Sequence, residues 1–177
     1  MMKAAPVLVV IDIQKEYTTP GRSFYLETAG PSLKNAARVL DHARRNGWEV
    51  VHIRHLQDGE IFNPKSEHSG FVPGFEPAPG EAEITKGNFS CYSAPRFAEL
   101  MKVRLDRPVY VVGYGSTMCC LSTIIEGYHR GQKFTFVRDA SCARRTANFD
   151  EQSTHAYATD ILSTYAKVAE TAHILAN

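Results

Sequence analysis

The sequence predicts a single α/β domain in which helices cover both faces of a parallel β-sheet. Three observations lead to this prediction. Short apolar runs rich in β-branched residues alternate along the chain with segments of helical periodicity, which is typical of successive β-α-β units. The chain has 177 residues, enough for one hydrophobic core and too few for two ordinary domains. No linker, repeat or low-complexity tract divides it, so residues 1–177 are expected to form one domain.

Six apolar runs are the candidate strands. The first covers residues 5–11, is continuously apolar and ends at Asp12, as expected for a strand that is buried on both faces. The other five cover residues 49–54, 83–86, 108–113, 133–139 and 167–171. Parallel strands of one sheet are joined by right-handed crossovers, which place the connecting helices on the two faces. The predicted architecture is therefore a three-layer α/β/α sandwich around a six-stranded parallel sheet.

Four helices are expected in the segments that connect these strands. The first begins at Pro31 and ends before Gly47, the second begins near Pro95, and the third ends before Gly131. Asp150 can cap the fourth helix. The remaining long segment, residues 55–82, is rich in proline and glycine and has no periodicity. A loop of this length in a compact domain is usually functional.

Composition argues against several classes of function. The 20 basic and 19 acidic residues give a formal net charge of +1, which leaves no excess positive charge for nucleic acid or an anionic membrane surface. No apolar run approaches the roughly 20 residues that span a bilayer, and the N-terminus lacks a secretion signal, so we expect a cytoplasmic protein. The four cysteines have neither disulfide-framework nor zinc-site spacing, and we expect reduced thiols, no metal and no cofactor.

Polar residues follow the ends of the first four predicted strands. Asp12 ends the first strand, His55 follows the second, Lys86 ends the third, and Cys119 lies where the fourth strand leads into a helix. In an open parallel sheet, ligands bind outside the carboxyl ends of the strands. We therefore expect Asp12, Lys86 and Cys119 to lie at one edge of the sheet and to form a catalytic site.

These three residue types suit nucleophilic catalysis. A helix N-terminus and a nearby ammonium both favour the thiolate, so Lys86 is expected to lower the pKa of Cys119. Asp12 would accept the thiol proton and return it to a departing amine. The backbone N–H groups of Met118 and Cys119, in the first turn of the helix, would hold the oxyanion.

Three segments resemble the motif regions of the isochorismatase-like cysteine hydrolases, in the order in which that family carries them. They are Val-Val-Ile-Asp12-Ile-Gln14, Ile-Thr-Lys86, and Val-Val-Gly113-Tyr-Gly-Ser-Thr-Met-Cys119-Cys-Leu-Ser-Thr123. The similarity extends over the whole chain. It implies that Asp12, Lys86 and Cys119 are the family's catalytic aspartate, lysine and cysteine.

The resemblance implies further features of the fold and the reaction. The sheet would be Rossmann-like, with strand order 3-2-1-4-5-6, and the chain would form a homo-oligomer. The nucleophile would be Cys119 rather than Cys120, because the family's cysteine lies three residues after the position of Ser116. A cis peptide bond would join Tyr114 to Gly115. Family members that carry the cysteine cleave C–N bonds, so the substrate would be a small amide and the intermediate a thioester.

Two other sets of residues are candidates for binding, one for a metal ion and one for the substrate. Family members that bind a metal carry one Asp and two His after the second strand, and residues 54–58 depart from that pattern. His55, Asp58 and His68 are a weak alternative metal set. Side chains near the expected mouth of the site are the candidate substrate contacts: Gln14, Tyr17, His55, Phe62, Tyr92 and Tyr114.

Two alternative functions stay open on the sequence. Gly113 and Gly115 after a strand, with Asp139 ending the next strand, partly match a dinucleotide-binding fingerprint, although Met118 occupies the place of its third glycine. This alternative is an oxidoreductase. The other is a non-catalytic module that binds a small molecule on the same fold, since a fold does not fix a function.

Overall fold

The sheet has six parallel strands in the order β3-β2-β1-β4-β5-β6 in a computed structural model that describes residues 4–176. The first neighbours are paired in register, with Val7 opposite both Glu49 and Val109. The strands are β1 (Val7–Ile11), β2 (Glu49–His55), β3 (Ala82–Lys86), β4 (Val109–Tyr114), β5 (Phe134–Cys142) and β6 (Lys167–Ala169). The predicted parallel sheet and its implied strand order are confirmed.

Helices cover both faces of this sheet. They are α1 (Ala29–Arg45), α2 (Pro95–Lys102), α3 (Leu121–His129), α4 (Glu151–Leu162) and α5 (Thr171–Leu175). A π-helical turn, Ser116–Cys120, connects β4 to α3 and is called the Cys119 turn below. Short 3-10 turns cover Lys15–Tyr17, Glu67–Ser69 and Cys91–Ser93. The Asp150 side chain caps α4 as predicted, by accepting a hydrogen bond from the Ser153 N–H.

The structure differs from the prediction mainly at the C-terminal end of the sheet. Strand β5 continues past Asp139 to Cys142, because its pairing with β4 contains an irregularity that accommodates extra residues of β5 between Phe136 and Ser141, opposite Val111 to Gly113. Thr171, expected at the end of the last strand, instead begins α5. This helix has only 5 residues, too few for a periodic pattern to be visible in the sequence.

Two hydrophobic cores lie on opposite faces of the sheet. One packs β-strand side chains such as Val10 and Val112 against α1 and α5. The other packs Val9 and Val111 against α2, α3 and α4. Alternate residues of the central strands therefore face different cores, and this explains why β1 is apolar throughout. Across residues 4–176, none of the helices has both the length and the apolar character needed to cross a membrane.

The central strands β1 and β4 approach each other very closely at their carboxyl ends. Gly113 has a φ of +122°, and a Cβ atom there would lie 2.0 Å from the carbonyl oxygen of Ile11. Only glycine fits this position. The close approach fixes the distance between the end of β1, which carries Asp12, and the end of β4, which leads to Cys119. The glycine that partly matched a dinucleotide fingerprint thus serves strand packing.

Candidate active site

The structure brings together the three residues that the sequence placed at the carboxyl edge of the sheet. The Lys86 ammonium lies 2.8 Å from Asp12 Oδ2 and 3.3 Å from Cys119 Sγ. Lys86 ends β3, two strands away from β1, and its long side chain crosses the end of β2 to reach Asp12. The Asp12 and Lys86 side chains are completely buried, and Cys119 is 3% exposed. The site is therefore a buried ion pair with a thiol against it.

His55, at the end of β2, completes this cluster. Its Nδ1 atom lies 3.1 Å from Lys86 Nζ. An ammonium can only donate, so Nδ1 is the acceptor and Nε2 carries the proton. That Nε2–H donates to Gln57 Oε1 at 2.9 Å. His55 thus accepts a hydrogen bond from the Lys86 ammonium, which also contacts Asp12 and Cys119.

Gln14 anchors the backbone at the end of β2. Its amide nitrogen donates to the carbonyls of His55 (3.0 Å) and Ser69 (2.7 Å), and its oxygen accepts from the His55 N–H (2.8 Å). The side chain is fully buried and its hydrogen-bonding capacity is engaged in the backbone. The expected substrate contact is therefore not seen. Gln14 instead fixes the end of β2 and attaches the 55–82 loop to it.

The electrostatics of Cys119 differ from the sequence expectation. Burial raises the pKa of its thiol, the negative charge of Asp12 raises it further, and Lys86 opposes both without reversing them. The net pKa lies well above the ordinary value, whereas the sequence analysis expected it to be lowered. The expectation included the ammonium but not the desolvation of the thiol or the charge of the Asp12 carboxylate. In the resting site Cys119 is a neutral thiol.

Lys86 stays charged in the same environment. Burial lowers its pKa, but the negative charge of Asp12 raises it, and the net value lies above the ordinary one. The resting site therefore contains an ammonium paired with a carboxylate. Because the charges of this pair compensate each other, it can remain buried beside the thiol.

Asp12 is held in an unusual conformation. Its φ is +51°, in the left-handed region that non-glycine residues rarely adopt. Its Oδ2 accepts from Lys86, while Oδ1 is buried without a hydrogen-bond partner among the described residues. Buried carboxylate oxygens are normally satisfied, so an open one is costly. Backbone strain and an open acceptor on one residue are typical of a functional site.

The Cys119 turn directs its two adjacent cysteines differently. The Tyr114–Gly115 peptide bond is cis, as the family resemblance implied. Cys120 is completely buried, with its sulfur 3.6 Å from the Gly113 carbonyl, while Cys119 faces Lys86. The N–H groups of Met118 and Cys120 both donate to the Gly115 carbonyl, at 3.1 and 3.2 Å. The Met118 N–H is therefore not free in this structure, unlike the expected oxyanion donor.

A small pocket of about 20 Å³ reaches Cys119 from the protein surface. Tyr17, His55 and Phe62, all expected to contact substrate, line this pocket together with Cys119. The other lining side chains, none of them predicted to contact substrate, are Phe24, Gln57, Phe89 and Met118. Phe62 shares with Asp12 a φ of +51°. The pocket is aromatic, with the polar cluster at its base.

Two of the expected substrate contacts lie in the hydrophobic cores instead. Tyr114 is completely buried, and its hydroxyl oxygen lies 3.0 Å from Ser32 Oγ. Tyr92 packs edge-on against Phe97, with the Arg130 guanidinium over its ring. Neither lines the pocket. Both residues are close in sequence to active-site segments, but their side chains point into the protein. The direction of a side chain depends on the geometry of the strand or turn that carries it, and composition does not reveal it.

The weak metal set is not assembled in the described part of the chain. Within residues 4–176, no three His, Cys, Asp or Glu side chains are grouped so that they could hold a metal ion. His55 is occupied by Lys86 and Gln57, and Asp58 is exposed.

An arginine that the sequence analysis did not identify lies beside the pocket. The Arg144 guanidinium sits over the Phe24 ring, 3.9 Å from its centroid, and donates to the Ser23 carbonyl at 2.9 Å. Burial and the charges of the cysteines and Asp12 raise the pKa of Tyr17, whereas the charge of Arg144 lowers it. Its positive charge therefore reaches the pocket wall. No sequence signal marks Arg144, because it lies in an irregular segment after β5.

The sequence is similar to known proteins of one family. A model of the isochorismatase domain matches residues 6–173. The chain is 28% identical to the isochorismatase family protein YddQ of Bacillus subtilis, over 82% of this chain and 81% of that protein. It is 25% identical to a maleamate amidohydrolase of Pseudomonas putida, over 76% of this chain and 70% of the relative.

A solved structure has the same fold. The crystal structure of an isochorismatase from Pseudomonas putida KT2440 superposes with a TM-score of 0.86 and 28% identity, covering 98% of this chain and 93% of that chain. Because the domain match also spans nearly the whole sequence, this chain belongs to the isochorismatase family of hydrolases.

Proposed function

We propose that this protein is a cysteine amidohydrolase that cleaves the C–N bond of a small amide through a thioester on Cys119. The observation that carries the proposal is the position of the Lys86 ammonium, 2.8 Å from Asp12 Oδ2 and 3.3 Å from Cys119 Sγ at the base of a pocket. A nucleophile, a proton acceptor and a fixed positive charge are thus held together where a substrate carbonyl can reach them.

Acylation begins from the neutral thiol. Asp12 Oδ1, which has no partner in the described residues, accepts the thiol proton as Cys119 Sγ attacks the carbonyl carbon. The C–N bond then breaks, and the departing nitrogen takes the proton from Asp12 and leaves as an amine or ammonia. Lys86 stays protonated throughout, and its charge stabilises the thiolate while it forms.

Deacylation uses the same groups in reverse. Asp12 accepts a proton from a water molecule, whose oxygen attacks the thioester carbonyl. The C–S bond breaks, the thiolate takes the proton back from Asp12, and a carboxylic acid leaves. The net reaction adds one water to one amide and restores the site. The Cys119 N–H, in the π-helical turn that precedes α3, is our candidate donor to the oxyanion in both steps.

The charge beside the pocket supports a substrate class. Arg144 forms no ion pair within the described residues, although most other arginines of the chain do. Its guanidinium is held by Phe24 and Ser23 at the pocket wall. A planar guanidinium binds carboxylates in a two-point geometry. We infer that the preferred substrates carry a carboxylate, as maleamate does in the related amidohydrolase.

The test is release of ammonia or an amine from a panel of small amides, ureido compounds and lactams, with and without a carboxylate. The variant Cys119→Ala is expected to lose turnover, while Cys120→Ala, the matched neighbour whose sulfur faces Gly113, retains it. Mass spectrometry should detect an acyl adduct on Cys119 during turnover. A panel with no turnover, or turnover that survives in Cys119→Ala, would reject the proposed function.

A further inference from the structure

Helix α4 contacts the Cys119 turn through one short hydrogen bond between side chains. His155 Nδ1 lies 2.8 Å from Ser116 Oγ, and His155 Nε2 lies 2.9 Å from the backbone carbonyl of Arg138 on β5. The proposed reaction does not use either side chain. The imidazole therefore joins three elements: α4, which carries it, β5, and the turn that carries Cys119.

The Arg138 carbonyl and the Ser116 hydroxyl determine which nitrogen of His155 carries the proton. A backbone carbonyl can only accept, so His155 Nε2 carries a proton. In the neutral imidazole Nδ1 is then an acceptor, and the Ser116 hydroxyl donates to it. Burial lowers the pKa of His155, which favours this neutral form. The direction of each bond is thus determined.

Ser116 is not placed to act as a second nucleophile. Its side chain is completely buried, and it does not line the pocket at Cys119. Ser116 instead begins the Cys119 turn, directly after Gly115, whose carbonyl accepts from the N–H groups of Met118 and Cys120. The hydroxyl is thus an attachment point at the start of the turn, three residues before Cys119.

We propose that His155 is a positioning residue that holds Cys119 in register with Lys86 and Asp12 through its hydrogen bond to Ser116. This inference rests on the proposed role of Cys119 as the nucleophile. Sγ is 3.3 Å from Lys86 Nζ, and a displacement of about 1 Å in such a site can cost about 100-fold in rate. The hydrogen bond that Ser116 donates to His155 prevents such a displacement, because it fixes the first residue of the turn.

Two substitutions of His155 separate its two hydrogen bonds. In His155→Asn the side-chain oxygen occupies the place of Nδ1 and can accept from Ser116. In His155→Gln the longer side chain reaches the Arg138 carbonyl as Nε2 does, and the bond to Ser116 is lost. Ser116→Ala removes the same bond from the other side, and His129→Gln, an exposed histidine on α3, is the matched control.

The expected result is a loss of kcat with little change in KM. His155→Gln and Ser116→Ala should lower kcat about tenfold or more, whereas His155→Asn and His129→Gln stay within about threefold of the parent. Equal kcat in His155→Asn and His155→Gln, whether both are normal or both impaired, would overturn the inference. So would normal turnover in Ser116→Ala, which remains a test even if a histidine variant does not fold.

A second measurement does not depend on turnover. The rate of Cys119 alkylation by iodoacetamide, read by peptide mass mapping at pH 9, should rise about threefold or more in His155→Gln and Ser116→Ala, because a loosened turn exposes the sulfur. It should not change in His155→Asn. Unchanged alkylation in all variants would overturn the positioning role. Because this readout needs no substrate, its failure is distinguishable from failure of the proposed amidase activity.

Discussion

Two carboxylates, Asp12 directly after β1 and Glu81 directly before β3, are the centres of ionic clusters that are built differently. At the carboxyl edge, Asp12 accepts one hydrogen bond, from Lys86, and its Oδ1 atom has no partner in the described residues. Below that edge, Glu81 accepts two hydrogen bonds from Arg44, one from the Ala78 N–H and one from His52, all between 2.8 and 2.9 Å.

The difference separates a carboxylate that stabilises the fold from one that is free to react. Burial raises the pKa of Glu81, but the bonds from Arg44, the Ala78 N–H and His52 outweigh it and lower the pKa to about 2. A carboxylate that is saturated in this way does not take up protons near neutral pH. Asp12 keeps one oxygen open beside a thiol, and the strained backbone at φ +51° holds it there.

The largest effect that tests this comparison is on turnover. Asp12→Asn should lower kcat about 1,000-fold or more, because an amide cannot accept the thiol proton. Glu81→Gln, the loss of a carboxylate whose oxygens are fully hydrogen-bonded, should leave kcat within about threefold of the parent. Both are measured as ammonia release by proteins whose far-ultraviolet circular dichroism is unchanged. Comparable losses in the two variants would remove the distinction between the clusters.

A smaller effect is expected from the two arginines. Arg144 has no acidic partner in the described residues, whereas Arg44 is paired with Glu81. Arg144→Gln should raise KM about 10-fold to 100-fold for amides that carry a carboxylate and leave neutral amides unaffected. Arg44→Gln should leave KM unchanged for both kinds of substrate and lower the melting temperature. Equal KM changes for charged and neutral amides would contradict a carboxylate-binding role for Arg144.

Thiol reactivity sharpens the comparison further. Burial and then the charge of Asp12 raise the pKa of Cys119, while Lys86 lowers it. Removal of the Asp12 charge leaves the ammonium, so the pKa should fall and the thiolate should be more populated at pH 8. Alkylation of Cys119 is expected to rise about tenfold in Asp12→Asn, although turnover is lost. Glu81→Gln serves as the control and should alkylate at the parental rate.

The smallest effect is on acid stability. The pKa of Glu81 is lowered from 4.5 to about 2 by folding, so the carboxylate contributes stability that is present above pH 4.5. This contribution is lost as the pH falls from 4.5 towards 2. The difference in unfolding free energy between the parent and Glu81→Gln, measured by urea denaturation, should therefore shrink over that interval. A difference that does not depend on pH would show that the hydrogen bonds act without the charge.

Sequence patterns were sufficient for the fold because β-branched runs alternate with amphipathic segments along the chain. They also brought Asp12, Lys86 and Cys119 to one edge, since the carboxyl ends of parallel strands share that edge. They could not give the direction of the Cys119 pKa shift, which depends on burial and on the distance to a carboxylate from another strand. Nor could they predict that Gln14 binds backbone groups, because an amide side chain suits either role.

The residues around the pocket were harder to predict for the same reason. Tyr17 and Tyr114 are both close in sequence to active-site residues, and their rings pack against each other. Only Tyr17 lines the pocket, whereas Tyr114 is buried behind it. Arg144 lies in an irregular segment with no pattern at all. Side-chain direction in turns depends on tertiary packing, which a single sequence does not display.

The aromatic wall of the pocket makes substrate entry part of substrate selection. A volume of about 20 Å³ holds about one water molecule, so an amide needs side chains of the pocket wall to move before it can enter. Phe89 is 56% exposed and is the ring that moves with the least loss of packing. A compound whose own contacts with the pocket do not offset the free energy of this displacement is excluded before it reaches the thiol. The aromatic side chains of the pocket wall thus move only when a molecule binds whose own contacts stabilise the open pocket.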